Sequence, residues 1–126
     1  MSKVYYLNIN NRAFNAISEE RKKIEIRANK KGSIDYSKLQ ADDYIIFEDL
    51  KTSSNLLCKV IRKSWYRTVR LLLETEGTEY SLSSTDSIEE GIKSIESISD
   101  YKEVIERNGV YAIAIECLSE SFVFGV

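Results

Sequence analysis

The densest group of residues able to do chemistry lies at residues 21–27 (RKKIEIR), where four cations and one carboxylate occur together. Lys22, Lys23 and Arg27 can bind a phosphate, and Glu25 can accept hydrogen bonds or hold Arg27 in place. A lysine near a carboxylate can also transfer protons. The segment is therefore the candidate site of the chain, for binding or for catalysis.

Apolar and charged residues alternate in this segment, which is the period-two pattern of a half-buried strand. The two isoleucines then point into a core, whereas Lys23, Glu25 and Arg27 share the opposite face. Lys22 has the apolar parity, but at the start of the strand its stem can lie on the core edge while its ammonium reaches a cleft. An ordinary solvated strand face with a Glu–Arg pair fits the same pattern.

The composition predicts one domain over residues 1–126, since 43% of the 126 residues are apolar. The net charge of -2 hides an asymmetry. Residues 1–70 carry 15 basic and 8 acidic side chains, and residues 71–126 carry 3 basic and 12 acidic ones. A basic face can steer a polyanion, but the acidic half argues against indiscriminate binding to nucleic acid.

Several classes of site are excluded or disfavoured. The chain has no histidine, so Ser-His-Asp and Cys-His mechanisms and histidine zinc sites are absent, and we expect no metal and no cofactor. Cys58 and Cys117 occur in apolar runs without CxxC spacing, which predicts buried, reduced thiols. No stretch approaches the roughly 18 apolar residues of a membrane span, and no amino-terminal signal region is evident. We therefore expect a cytoplasmic protein with no membrane partner.

The order of predicted elements favours an α+β fold with a small mixed or antiparallel β-barrel and flanking helices. The predicted strands are residues 3–9, 21–27, 44–47, 56–63 and 110–118, with a short edge strand at 122–126. The predicted helices begin at Asn10 or Asn11, at Thr68, at Ser87 and at Ser99, with one helical turn at residues 35–40. The fourth strand is expected to be interrupted at Ser64, Trp65 and Tyr66.

Five landmarks, in this order and spacing, resemble those of the ASCH domain, a family with a PUA-like β-barrel. They are Phe14 with Ile17, residues 21–27, residues 43–47 (DYIIF), Tyr66 with Thr68, and residues 109–113 (GVYAI). The resemblance spans about residues 3–118. It departs from the family pattern at two positions that are usually glycine, where this chain has Glu20 and Asp42. Because glycine serves where φ is positive, the shapes of both turns are expected to depend on these residues.

The resemblance implies RNA, or a nucleotide or nucleoside, as the partner, held in a cleft between the barrel and the helices. Besides Lys22, Lys23, Glu25 and Arg27, it places Tyr66 and Trp65 in that cleft. Cations would then contact phosphate, an aromatic face would stack on an unpaired base, and Glu25 would accept from a base edge. Trp65 and Tyr66 covering the end of the barrel is the simpler alternative.

The family also suggests a second hypothesis, since some bacterial ASCH proteins are amidohydrolases that act on N4-acetylcytidine. Lys22 matches their lysine, but Glu25 stands where they have a threonine nucleophile, so that mechanism is disfavoured. Those enzymes also use a distant glutamate, for which Glu89 or Glu90 is the candidate in this chain. A different hydrolysis, of RNA or a modified nucleoside by Lys22 and Glu25, stays open. A third hypothesis is a protein-interaction module that uses the acidic second half.

Overall fold

The computed structural model describes residues 2–120, which form five strands, four α-helices and one 3-10 turn. The strands are β1 (Val4–Ile9), β2 (Ile24–Arg27), β3 (Tyr44–Asp49), β4 (Asn55–Tyr66) and β5 (Val110–Glu120). The helices are α1 (Asn11–Ser18), α2 (Val69–Glu76), α3 (Ile88–Glu96) and α4 (Tyr101–Asn108), and the 3-10 turn is Tyr36–Lys38. None of the helices in this part of the chain is long and apolar enough to cross a membrane.

The five strands form one curled sheet in the order β1-β3-β4-β5-β2, which makes a half-barrel. Strands β1 and β3 are parallel, and the other three pairs are antiparallel. The two edge strands of the sheet are joined by a hydrogen bond of 3.1 Å from Arg27 Nη2 to the carbonyl oxygen of Asn8. The predicted α+β fold with a small mixed barrel is confirmed, and the charged strand β2 lies at the rim.

Two cores lie on opposite faces of the sheet, because alternate residues of β5 point to opposite sides. The first core packs α1 against one face and includes Phe14, Phe47 and Ile113. The second core packs α2, α3 and α4 against the other face and includes Ile24 and Ile26. The isoleucines of β2 are therefore in a core, as the alternation predicted, and Glu25 and Arg27 point away from that core.

Glu20 and Asp42, at the two positions where the ASCH pattern usually has glycine, both have positive φ. Glu20 has φ 61° and lies between α1 and β2, and Asp42 has φ 74° and lies before β3. Holding a residue other than glycine in this region costs about 1 kcal/mol. The carbonyl oxygen of Ala16 accepts the next two amides, those of Arg21 and Lys22, at 2.8 and 3.0 Å, which fixes the approach to β2.

Local signals located most helix ends correctly. Asn10 caps α1, Thr68 caps α2, and the Ser87 hydroxyl accepts from the amide of Glu90 at 3.3 Å at the start of α3. The cap predicted at Ser99 is wrong. Helix α4 follows Asp100, which has φ 68° and makes no side-chain cap bond.

Two predicted strand boundaries are also wrong. Strand β4 continues without interruption to Tyr66, because each residue from Ser64 to Tyr66 has a partner on β5. A register shift between Val60 and Arg62 breaks the alternation there, which made the strand look shorter in the sequence. Strand β2 begins at Ile24, not at Arg21. The edge strand predicted at residues 122–126 lies outside the described residues.

Candidate functional site

A cleft of about 310 Å³ lies where the two edge strands of the half-barrel meet. One side is the end of β1 and the start of α1, and the other side is β2. The loop of residues 81–84, α3 and the first residue of α4 complete the wall. Polar lining residues include Asn8, Arg12, Lys22, Glu25, Arg27, Ser81 and Ser83, and apolar ones include Ile9, Ile95, Ile98 and Tyr101.

Lys22, Glu25 and Arg27 form one charge network in the wall of this cleft. Arg27 Nε donates to Glu25 Oε2 at 2.7 Å, and Lys22 Nζ lies 3.5 Å from Glu25 Oε1. Lys22 and Glu25 are each only 6% exposed. An ordinary solvated strand face is therefore excluded, because both charges have been removed from water.

Lys22 is anchored by the backbone on two sides. Its ammonium donates to the carbonyl oxygen of Ile24 at 2.6 Å and to that of Ser81 at 2.7 Å. With Glu25 as third neighbour, the three N–H groups of the ammonium all have acceptors. Lys22 thus ties the loop of residues 81–84 to β2 and positions Glu25, and its ammonium is not free to contact a ligand.

Burial and charge act in opposite directions on the pKa values of the network. Burial lowers the pKa of Lys22, and the charge of Glu25 opposes this only in part. Burial by itself would raise the pKa of Glu25, but the positive charges of Arg27 and Lys22 outweigh it and hold the pKa below its usual value. Burial would also lower the pKa of Arg27, yet Glu25 holds it above its usual value. Glu25 and Arg27 are therefore an ionised pair at neutral pH.

Arg27 is the member best able to contact a ligand. Its side chain is 17% exposed, about twice as much as that of Glu25 at 8%. Glu25, Asn8 and Tyr36 are hydrogen-bond partners of the guanidinium, which has five N–H groups, so donors remain for an acceptor in the cleft. Glu25 similarly keeps unused acceptor lone pairs. The network can therefore donate and accept hydrogen bonds side by side.

Most residues of the cleft wall were not predicted from the sequence, among them two polar ones, Arg12 and Ser81. Arg12, on the first turn of α1, lies with its Nε 3.4 Å from Ser83 Oγ at the mouth of the cleft. Ser81 is 1% exposed, and its Oγ is a buried polar atom without a hydrogen-bond partner among the described residues. The serine-rich stretch at residues 81–84 is the only sequence signal for this wall, and its placement depends on tertiary contacts.

Lys23 lies outside the cleft. Its side chain is exposed, and its ammonium sits 5.0 Å from the centre of the Tyr80 ring. Lys23 instead lines a neighbouring groove of about 350 Å³, which also contains Glu116 and Cys117. The structure therefore brings together Lys22, Glu25 and Arg27 but not Lys23.

Trp65 and Tyr66 do not line the cleft either, contrary to expectation. The indole N–H of Trp65 donates to the carbonyl oxygen of Asn108 at 2.8 Å, and its ring covers Gly109, where a Cβ atom would lie 2.3 Å from the indole nitrogen. The Tyr66 hydroxyl donates to Glu76 at 2.5 Å. Because β4 continues as a strand to Tyr66, both side chains are held at the far side of β5 from β2.

Neither candidate for the distant glutamate of the amidohydrolases lines the cleft. Glu89 is 68% exposed and pairs with Arg70, while Glu90 is 63% exposed on α3. Glu25 is the one carboxylate of the described chain that lines the cleft. A metal-binding group of three or more cysteine and carboxylate residues does not occur in residues 2–120.

No family model matches this chain, and no curated protein matches it. Several solved structures are similar to it. The crystal structure of hypothetical protein PH0355 is 32% identical, with a TM-score of 0.77 over 91% of this chain and 99% of that chain. The solution structure of protein PF0455 from Pyrococcus furiosus is 31% identical, with a TM-score of 0.72 over 92% of this chain and 98% of that one.

A more distant structural neighbour identifies the fold. A serine-to-alanine variant of ZmASCH from Zymomonas mobilis has a TM-score of 0.58 at 14% identity, over 94% of this chain and 73% of that chain. At this identity the likeness shows the fold alone, and it agrees with the five landmarks of the sequence. The chain therefore belongs to the family of PH0355 and PF0455, and its fold is that of the ASCH domain.

Proposed function

We propose that this protein binds single-stranded or modified RNA, or a nucleotide, in the cleft between β1 and β2. The observation that carries the proposal is the buried charge network of Lys22, Glu25 and Arg27 in the wall of that cleft. A buried cluster with one negative and two positive charges has a net charge of about +1, which favours an anionic ligand. Burying such charges is costly, and their retention in a cleft is typical of functional sites.

The chemistry of the lining suits a nucleotide with an unstacked base. Arg27 can donate to a base carbonyl, and Glu25, which is ionised at neutral pH, can accept from a base N–H group. Arg12 at the mouth of the cleft can contact the phosphate. Ile98 and Tyr101 supply an apolar wall against which a base can pack. The volume of about 310 Å³ is at the lower end of small-molecule sites, enough for one nucleoside unit but not for a folded duplex.

Removal of the charge at the mouth of the cleft tests the proposal without disturbing the buried network. Arg12→Gln should weaken binding of short single-stranded RNA and reduce the slope of log affinity against log salt by about 1. Arg107→Gln is the matched control, because Arg107 is exposed in the last turn of α4 and does not line the cleft. Both variants and the unmodified protein are titrated with a fluorescent oligonucleotide at two salt concentrations. Equal losses in the two variants, or an affinity that ignores salt, would contradict an RNA site in the cleft.

Hydrolysis of a modified nucleoside or of RNA is the second candidate function. One observation favours it: a lysine with a lowered pKa lies 3.5 Å from a buried carboxylate. The hydrogen bonds of Lys22 argue against hydrolysis. All three N–H groups of its ammonium have acceptors, and a catalytic Lys22 would have to break one of these bonds. Glu25→Gln and Glu25→Ala distinguish the two functions, provided both variants are folded. In a binder, Glu25→Gln should retain more affinity for RNA than Glu25→Ala. In an enzyme with Glu25 as base, both variants should be equally inactive, as measured by release of acetate from N4-acetylcytidine.

A further inference from the structure

The two cysteines, far apart in the sequence, lie directly opposite each other in the sheet. Cys58 on β4 is the register partner of Cys117 on β5, and the two strands are antiparallel. Opposite residues point to the same face, and Cys117 packs against the first core, of which Cys58 is a member. Opposed residues in antiparallel strands have Cα atoms about 4.5 to 5.5 Å apart. Disulfides span about 4.4 to 6.8 Å between Cα atoms, so the register alone satisfies this requirement.

The backbone next to the pair has a β-bulge. Leu57 pairs with Ser119 while Cys58 pairs with Cys117, so Leu118 is an extra residue on β5. Bulges of this kind bend and twist a strand and interrupt its hydrogen-bond ladder locally, so the cysteine pair lies beside an irregular stretch of β5. Burial, and next the neighbouring Cys117, raise the pKa of Cys58, so Cys58 stays a protonated thiol that does not itself react with an oxidant.

The two thiols differ in accessibility. Cys58 is 0% exposed, whereas Cys117 is partly exposed and lines the groove of about 350 Å³ beside Lys23 and Glu116. A small oxidant that enters this groove reaches Cys117 first. Because oxidation of cysteine follows access and thiolate character, Cys117 is the thiol to react, and the buried Cys58 can react only with its cross-strand neighbour.

We propose that Cys117 is a site of two-electron oxidation by a hydroperoxide and that Cys58 converts the product into a cross-strand disulfide. In the first step the Cys117 sulfur attacks one peroxide oxygen, the O–O bond breaks, and a sulfenic acid and one water (or alcohol) form. In the second step the Cys58 sulfur attacks the Cys117 sulfur, the S–O bond breaks, and the hydroxide leaves as water with the Cys58 proton. Two thiols are oxidised to one disulfide, and one peroxide is reduced.

Mass spectrometry of the intact protein tests this directly. After mild treatment with hydrogen peroxide, each chain should lose about 2 Da, both thiols should disappear together, and a reductant should restore them. Proteolysis without reduction should yield one cross-linked peptide pair that contains Cys58 and Cys117 from the same chain. Thiols that persist, or a cross-link between chains only, would overturn the proposal.

Two variants separate the roles of the two sulfur atoms. In Cys58→Ala the oxidation should stop at Cys117 with a gain of about 16 Da, trapped by a reagent for sulfenic acids. In Cys117→Ala, Cys58 should resist the same peroxide dose, and rapid oxidation of Cys58 there would contradict the order of steps. Circular dichroism checks that each variant is folded, and peptide mapping of the unmodified protein decides the question if one is not.

Discussion

Two clusters in this molecule are built from the same pair of residue types, but they lie in different surroundings. In the charge network of the cleft, Arg27 holds Glu25, and the carboxylate is buried. In a second cluster, between β4 and α2, Arg62 holds Glu76 through two bonds of 2.6 and 2.9 Å. The Glu76 side chain is also covered, at 5% exposed, but that of Arg62 is 48% exposed, against 17% for Arg27. We call these the cleft network and the surface cluster.

The causes of the pKa shifts differ between the two clusters. For Glu76 the largest cause is the hydrogen bond from Arg62, which lowers the pKa, and burial opposes it. For Glu25 the largest cause is burial, which raises the pKa, but the charges of Arg27 and Lys22 and the hydrogen bonds from both together hold the pKa below its usual value. All three charges of the cleft network are therefore largely removed from water, whereas in the surface cluster the carboxylate is covered but the Arg62 guanidinium remains hydrated.

The largest effect is expected for Glu25→Ala. This change leaves Lys22 and Arg27 buried without a counter-charge, so the free energy of unfolding should fall by about 3 to 5 kcal/mol. Urea denaturation measures the loss. Glu76→Ala in the surface cluster is the control and should cost clearly less, because Arg62 can turn to water. Equal losses would show that the two clusters are energetically alike.

Acid should weaken the cleft network before the protein unfolds completely. The folded pKa of Glu25 lies below the unfolded value of about 4.3, so the unfolded chain takes up the proton first as the pH falls. The stability that Glu25 contributes is therefore complete above about pH 4.3 and is lost as the pH falls through the folded pKa. Melting temperatures of the unmodified protein and of Glu25→Gln, compared over this range, should converge on acidification. A constant difference would contradict a lowered pKa.

Lys22→Met should have an intermediate effect. Met retains much of the apolar stem, but the carbonyl oxygens of Ile24 and Ser81 lose their donor, which should cost about 1 to 3 kcal/mol. The loop of residues 81–84 should exchange its amide hydrogens faster, since Lys22 ties it to β2. Lys23→Met, at an exposed neighbouring position, is the matched control and should change neither quantity.

The smallest effect is expected for Arg62→Gln in the surface cluster. Arg62 is half exposed, so water and salt partly screen its ion pair, which should contribute about 1 kcal/mol even though the Glu76 side chain is only 5% exposed. Thermal denaturation at low and high salt should show a small difference from the unmodified protein that shrinks with salt. A loss above about 2 kcal/mol would place the surface cluster in the same class as the cleft network.

Sequence patterns predicted those features that depend on neighbouring residues. The isoleucines of β2, the Ser87 cap and the Gly109 helix stop each follow from a spacing of a few residues, and the structure has all three. The cleft is different, because Arg12 and Ser81 meet β2 only through the curl of the sheet. Periodicity also could not show that Glu25 is buried. The residues that cover this face of β2 belong to α1, to the loop of residues 81–84 and to α3, which are distant in the sequence.

The same limit explains the error at Trp65. The register shift near Ile61 reverses the alternation of apolar and polar residues in β4. In the sequence, one continuous strand therefore resembled a strand followed by a strand-to-helix connection. Such a connection would have let both aromatic side chains turn toward the cleft. The strand instead holds the Trp65 ring against Gly109 at the end of α4 and the Tyr66 hydroxyl against Glu76 at the end of α2.

The position of β2 in the sheet has a consequence for the order in which the protein is made. Strand β2 pairs with β5, so the segment that carries Glu25 and Arg27 has no strand partner until residues 110–120 have left the ribosome. Strands β1, β3 and β4 can pair with one another much earlier. Since chains emerge amino terminus first, the cleft is the last part of the domain to be assembled during translation. A nascent chain stalled before β5 would therefore present its basic segment to the ribosome surface without the counterpart that buries it.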